Sequence, residues 1–224
     1  MIAIDGPAAS GKSTTARRVA QELGFLHLDT GAMYRAFTLK VLRAGKDPGD
    51  SESVGALVGV TQIELHRAND ALLVLLDGED VTLAVRGEDV TRAVSTVSSL
   101  RCVREAMVRE QRRAAGQSDV VAEGRDIGTV VFPDADLKFF MIAGIDARAR
   151  RRQAELMNRG IRTDLDALAG KIRERDWLDS TRAESPLRKA ADAIEIDTSS
   201  MTVDKQVALV TGIVRERLGR KGKP

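Results

Sequence analysis

The sequence predicts an α/β fold with a mainly parallel sheet, on three observations. Short apolar runs alternate with stretches of helical periodicity, a glycine-rich loop joins the first run to the first helix, and a single segment breaks the rhythm. Five runs have the length and composition of core strands: residues 1–5 (MIAID), 25–29 (FLHLD), 119–123 (DVVAE), 137–142 (LKFFMI) and 193–197 (AIEID). Residues 13–23, 31–44, 98–115, 146–159, 164–179 and 203–218 carry the wider apolar spacing of helices. The exception follows residues 45–50 (GKDPGD), where 61–66, 71–76 and 80–85 read as short strands. Turn residues such as Asn69, Asp70 and Gly78 join them, as expected of an antiparallel insertion. The tail, 219–224 (GRKGKP), is basic and reads as frayed.

Composition narrows the function classes. With 224 residues, 43% of them hydrophobic, the chain can bury the core of one domain. It has no run of eighteen apolar residues and no charged start leading into an apolar stretch, so no membrane partner is expected and a cytoplasmic location is. The lone Cys102 cannot form an internal disulfide, and no cysteine and histidine cluster suggests zinc. A net charge of +2 argues against a chain built to coat nucleic acid. Its 26 arginines against 9 lysines are informative, since the guanidinium fork clamps phosphate and carboxylate. A GC-rich genome would give the same bias, so only arginines within motifs count.

The most specific motif is residues 6–13, Gly6, Pro7, Ala8, Ala9, Ser10, Gly11, Lys12 and Ser13, which match GxxxxGKS between a strand and a helix. Gly6 and Gly11 let successive amides face one point at the positive end of the helix dipole, where phosphate oxygens bind. Lys12 adds a full charge, and the Ser13 hydroxyl is placed for a magnesium ion bridging the outer phosphates.

Two further strand ends carry charge. The second strand runs into Asp29, Thr30, Gly31, Ala32, Met33, Tyr34 and Arg35. Asp29 can hold water around magnesium and Arg35 can clamp a second phosphate; Thr30 reads equally as an ordinary N-cap or a ligand contact. After the third strand stand Glu123, Gly124, Arg125, Asp126, Ile127, Gly128 and Thr129, an arginine and an acid in a loop, with mutual pairing of Arg125 and Asp126 as the structural alternative. His27, His66 and Trp177 give no functional signal; His27, among apolar neighbours, reads as packed.

In this order behind the loop, DTGAMYR (29–35), EGRDIGTVVFP (123–133) and ERDWLDSTR (174–182), with the helix VREAMVREQRR (103–113) and the insertion, resemble bacterial cytidylate kinases nearly end to end. The resemblance implies a doubly wound parallel five-stranded sheet in one P-loop kinase domain over 1–224, with a nucleoside-monophosphate-binding insertion at 46–100 and a lid region at 146–162. It implies transfer of the γ-phosphoryl group of ATP to CMP or dCMP, with Mg2+ and with small nucleotides as the partners; a monomer is expected. By motif, Arg35 and Arg125 grip the acceptor phosphate, with Thr30 where the family often has serine. Ser95, Arg104 and Asp126 read cytosine, and Arg175, Asp179 and Arg182 lie near the ribose. Ser95 stands in a stretch (VSTVSS) where Ser98 or Ser99 could replace it, and where a plain loop hydroxyl is an equal reading. ATP falls to the loop from Gly6 to Ser13 with Thr14. Arg148 and Arg151, in ARARRRQ (147–153), are lid candidates by helical spacing, although a solvated face explains them equally.

Two other readings compete. A P-loop kinase for UMP, another nucleoside monophosphate or a small hydroxy acid would keep the loop; the insertion, ERDWLDSTR and EGRDIG together disfavour it, since a kinase for a small acid has little room or use for them. A nucleotide-dependent switch lacks its signature: no NKxD is present, and EGRDIG stands where DxxG would end the third strand.

Overall fold

The computed structural model describes residues 1–68 and 71–221. The elements are β1 (Ile2–Asp5), α1 (Lys12–Leu23), β2 (Leu26–Asp29), α2 (Thr30–Arg43), α3 (Ser51–Val58), β3 (Ile63–Ala68), β4 (Ala71–Leu76) and β5 (Glu79–Asp80). They continue with α4 (Glu88–Ser99), α5 (Arg101–Ala115), β6 (Val120–Gly124), β7 (Leu137–Ile142), α6 (Ile145–Met157), α7 (Leu165–Thr181), β8 (Ile194–Asp197) and α8 (Val203–Lys221). Strands β2-β6-β1-β7-β8, in that order, form the main sheet, and β3-β4-β5 a small separate one. β1 pairs in parallel with β6 and β7, and β7 with β8; the small sheet is antiparallel. All five core strands fall where the apolar runs place them.

The chain divides into two compact units, one of residues 1–27, 117–181 and 185–224, the other of 28–116 and 182–184. In the first, Ile2, Ile4, Val121, Phe139, Met141 and Ile196 of the sheet pack against Ala16, Val19 and Ala20 of α1 and Val207, Val210 and Val214 of α8. Those strands read as unbroken apolar runs because helices cover a parallel sheet. A smaller cluster, Ala149, Leu168, Ala169 and Ile172, joins α6 to α7. In the second unit, α2 buries Met33, Ala36, Phe37 and Val41.

The insertion departs from the sequence reading in three places. Its third strand is only Glu79–Asp80 rather than 80–85, because the Asp80 carboxylate takes the Thr82 amide (2.9 Å) and turns the chain toward a 3-10 turn at Ala84–Arg86. The helix expected over 98–115 is two helices, α4 and α5, broken at Leu100, whose ψ of 128° is extended. Ser95 is therefore helical, not in a loop. Helix α3 was unforeseen; Asp50 caps it by accepting from the Glu52 amide (3.1 Å). The expected turn residues Asn69 and Asp70, and tail residues 222–224, lie outside the described residues; α8 runs through 219–221. Among the described residues no helix is long and apolar enough to cross a membrane.

Candidate active site

β1 ends at Asp5 and the chain turns at once through the glycine-rich loop into α1. Gly6 (φ 152°) cannot be replaced: a Cβ there would lie 2.2 Å from the Met141 carbonyl oxygen. Gly11 (φ 93°) is the N-cap of α1, and a Cβ on it would lie 2.8 Å from Gln206 Oε1. Among the described residues no side chain caps this helix, and its N-terminus turns the positive end of the helix dipole toward the loop. The loop is braced from behind. Thr198 donates to the Ser10 carbonyl (2.7 Å), Thr15 donates to Gln206 (2.8 Å), and Lys12, 7% exposed, reaches the Pro7 carbonyl (3.5 Å).

The acid beside this loop within the first unit is Glu123, the fourth residue of β6 and 2% exposed. Ser13 donates its hydroxyl to Glu123 Oε2 (2.5 Å), and His27 Nε2 lies 3.1 Å from Oε1. Burial alone would raise this carboxyl. The His27 hydrogen bond, the charges of Lys12 and His27 and the Ser13 hydrogen bond outweigh burial and hold it below the ordinary glutamate value. Sequence reasoning missed the role of Glu123, although an acid closing the apolar run 120–122 (VVA) was a signal. It also read His27 as packed, whereas the ring is a partner of that acid. A hydroxyl beside an ionised carboxylate is a hard oxygen donor set suited to Mg2+. Among the described residues no three His, Cys, Asp or Glu gather as a metal cluster, and a magnesium site completed by phosphate oxygens and water needs none.

Arg125 leaves the end of β6 and donates from Nε to Asp179 (2.8 Å), not to Asp126 as in the structural alternative. Asp179 is 5% exposed, on the inner face of α7, with Arg175 Nε 3.9 Å away. Three of the expected acceptor residues in the first unit, Arg125, Arg175 and Asp179, are thus one charged cluster. Asp126 is buried and starts a turn of π-helix, Ile127–Val131.

Neither lid candidate is on a solvated face. Arg148 is buried, pairs through both terminal nitrogens with Asp176 (2.9 and 2.6 Å) and donates to the Ala8 carbonyl of the loop (3.3 Å). Arg151 donates to the hydroxyl (3.1 Å) and the carbonyl of Thr198. Both pack where the loop is braced, because α6 presents one arginine per turn to that side. Thr14 is exposed at the start of α1.

In the second unit Asp29, not Thr30, caps α2: its carboxylate accepts from the Ala32 amide (2.9 Å). Thr30 is the first helical residue and buried. Arg35 donates to Thr91 Oγ1 (2.9 Å) and the Val85 carbonyl (3.3 Å). Arg104, 3% exposed, lies over the Tyr34 ring at 5.4 Å and donates to the Ser98 carbonyl (3.3 Å). Ser98 and Ser99 turn their hydroxyls back on the Ser95 and Thr96 carbonyls (3.2 and 2.7 Å). Half-buried Ser95 makes no such bond among the described residues. Arg182 is half-buried in the segment after α7.

A parallel sheet with a glycine-rich phosphate loop after its central strand, a buried acid at the neighbouring strand end and clustered arginines defines a P-loop nucleotide-handling protein. Residues 2–216 match the family model described as cytidylate kinase. The chain is 50% identical over 218 residues to a cytidylate kinase of Geobacillus thermodenitrificans (strain NG80-2), covering 97% of each chain. It is 50% identical over 221 residues to one of Pelotomaculum thermopropionicum, covering 98% of this chain and 97% of that one. A solved structure of an uncharacterized protein from Eubacterium ventriosum aligns over 95% of this chain and 96% of its own at 12% identity and a TM-score of 0.50, a likeness of fold alone. The chain belongs to the cytidylate kinase family.

Proposed function

We propose that this protein transfers the γ-phosphoryl group of ATP to CMP or dCMP, giving ADP and CDP or dCDP. The observation that carries the reading is family membership over nearly the whole chain, on a molecule that builds a phosphate loop with a buried acid beside it. Phosphoryl transfer asks for little covalent help, so the residues act by alignment and by neutralising charge. The loop of Gly6, Pro7, Ala8, Ala9, Ser10, Gly11, Lys12, Ser13 and Thr14 holds the ATP phosphates through its backbone N–H groups, which Pro7 alone lacks, and through the Lys12 ammonium. Ser13 and Glu123 would hold Mg2+, with Asp29 acting through water. That ion would screen the outer phosphates and orient the γ group for displacement.

For the acceptor, Arg35 and Arg125 grip the CMP phosphate, with Thr30 as hydroxyl donor. Ser95, Arg104 and Asp126 read the cytosine, and Arg175, Asp179 and Arg182 hold the ribose side. Asp179 has a second task, since its bond to Nε, together with the bond from Nη1 to the Gly124 carbonyl (3.4 Å), fixes the Arg125 fork that is to serve phosphate. Segment 46–100 is the monophosphate-binding insertion and 146–162 the lid region, in which Arg148 acts through the loop it touches at Ala8 and Arg151 through Thr198, which braces that loop.

The test is a coupled assay of ADP release across CMP, dCMP, UMP and AMP at fixed ATP. Turnover with CMP and dCMP well above the other acceptors supports the reading; ADP release that ignores the acceptor refutes it.

A further inference from the structure

One buried acid has no part in this chemistry. Asp5 is the last residue of β1, next to Gly6, and is 4% exposed. Its two carboxylate oxygens are divided between consecutive backbone amides: the Ile127 N–H donates to Oδ1 and the Gly128 N–H to Oδ2, each at 2.8 Å. These amides open the π-helical turn that follows Arg125 and Asp126. The parallel register already sets Asp5 opposite Gly124. The carboxylate therefore pins the far end of a short loop whose near end the sheet holds. Arg125 is fixed through its guanidinium by Asp179, and the chain two and three residues beyond it is fixed by Asp5. An ionised carboxylate suits this place because it accepts at both oxygens and donates at neither.

We propose that Asp5 is a positioning residue for the acceptor: by clamping the Ile127 and Gly128 amides it fixes the Arg125–Asp126 turn against the phosphate loop that begins at the next residue. The roles of Arg125 and Asp126 rest on the function proposed above; the clamp rests on its own geometry. Burial pushes the Asp5 carboxyl up to about 6, against the lowering effect of the two amides, with Asp126 raising it and Arg125 lowering it. The other charged group beside it is Lys138 of β7, which meets Gly128 on the same side as Asp5. Lys138 passes its methylenes by Gly128 and commits its ammonium to the Pro133 carbonyl and Asp192. A protonated Asp5 would present a hydroxyl to one of the amides, and that bond would be lost.

The experiment combines Asp5→Asn kinetics with amide NMR of the wild-type protein. The variant turns a donor toward one amide, so its KM for CMP is expected to rise roughly tenfold or more while KM for ATP stays within about twofold. In the wild type the Ile127 and Gly128 amide shifts are expected to titrate together with a midpoint near pH 6. A folded Asp5→Asn protein with an unchanged KM for CMP overturns the clamp, as do two amides that do not respond through that range. The NMR arm decides if the variant fails to fold. A wild-type protein that titrates so but does not phosphorylate CMP overturns the acceptor reading instead.

Discussion

Two buried acids, one the last residue of β1 and one the last but one of β6, behave in opposite ways. Asp5 on β1 and Glu123 on β6 are 4% and 2% exposed, and burial disfavours the charge on both. Asp5 meets that cost with two amide dipoles and is left pushed up to about 6. Glu123 meets it with His27, Lys12 and Ser13 and is held below its ordinary value. What separates them is full charge among the neighbours, and the separation matches the work each is assigned. An acid that holds a cation beside phosphates must be ionised at neutral pH; one that holds backbone amides can sit nearer neutrality.

The largest expected effect comes from breaking the charged side of this contrast. Lys12→Met removes the cation of the loop and a charge that keeps Glu123 ionised, so steady-state kcat should fall about a thousandfold. A folded variant within tenfold of wild type would break the assignment.

The pH dependence of stability sharpens the contrast directly. Folded Asp5 keeps its proton up to about 6, whereas an unfolded aspartate loses it near 3.8. Its contribution is therefore most favourable below the unfolded value and declines as pH rises through 6. The span is about 3 kcal/mol at 1.36 kcal/mol per pKa unit. Glu123 has the opposite sign: its contribution is present above the unfolded value of 4.5 and is lost as pH falls through its lower folded value. Denaturant melts of wild type and Asp5→Asn across pH 4 to 7 should differ by that decline and then run parallel; parallel curves throughout would remove the contrast.

Smaller effects follow on either side. Arg125→Lys keeps a charge beside Asp179 but loses the planar fork, and kcat/KM for CMP should drop about a hundredfold with the fold retained. Truncation to alanine is a poorer probe, because it would leave Asp179 short of a partner in a buried place. His27→Phe frees one oxygen of Glu123 and should raise the Mg2+ concentration for half-activation about tenfold. An unchanged requirement would show that Ser13 and Lys12 alone hold the acid.

Most of this was legible where local physics is decisive. The loop from Gly6 to Ser13 needs positive φ, free amides and a lysine, so its residue types are nearly prescribed, and the five core strands are apolar runs because helices cover the sheet. The insertion was harder to read. Residues 80–85 alternate like a strand, yet one Asp80 hydrogen bond turns the chain, and Leu100 breaks what looked like a single helix. At the site, the residues that bear charge into a loop were visible, while their anchors were not. Asp179 on Arg125, His27 on Glu123 and Asp5 on the Ile127 amide are far apart in sequence and meet only through the sheet register and helix packing.

The most direct measurement is competition. With ATP and Mg2+ present and CMP and UMP mixed in equal amounts, product formation is followed by 31P NMR with chromatographic separation of the diphosphates. A site that pairs its polar groups with the cytosine amino group should form CDP over UDP by on the order of a hundredfold or more. Equal amounts of the two diphosphates, or ADP without either, would contradict the account.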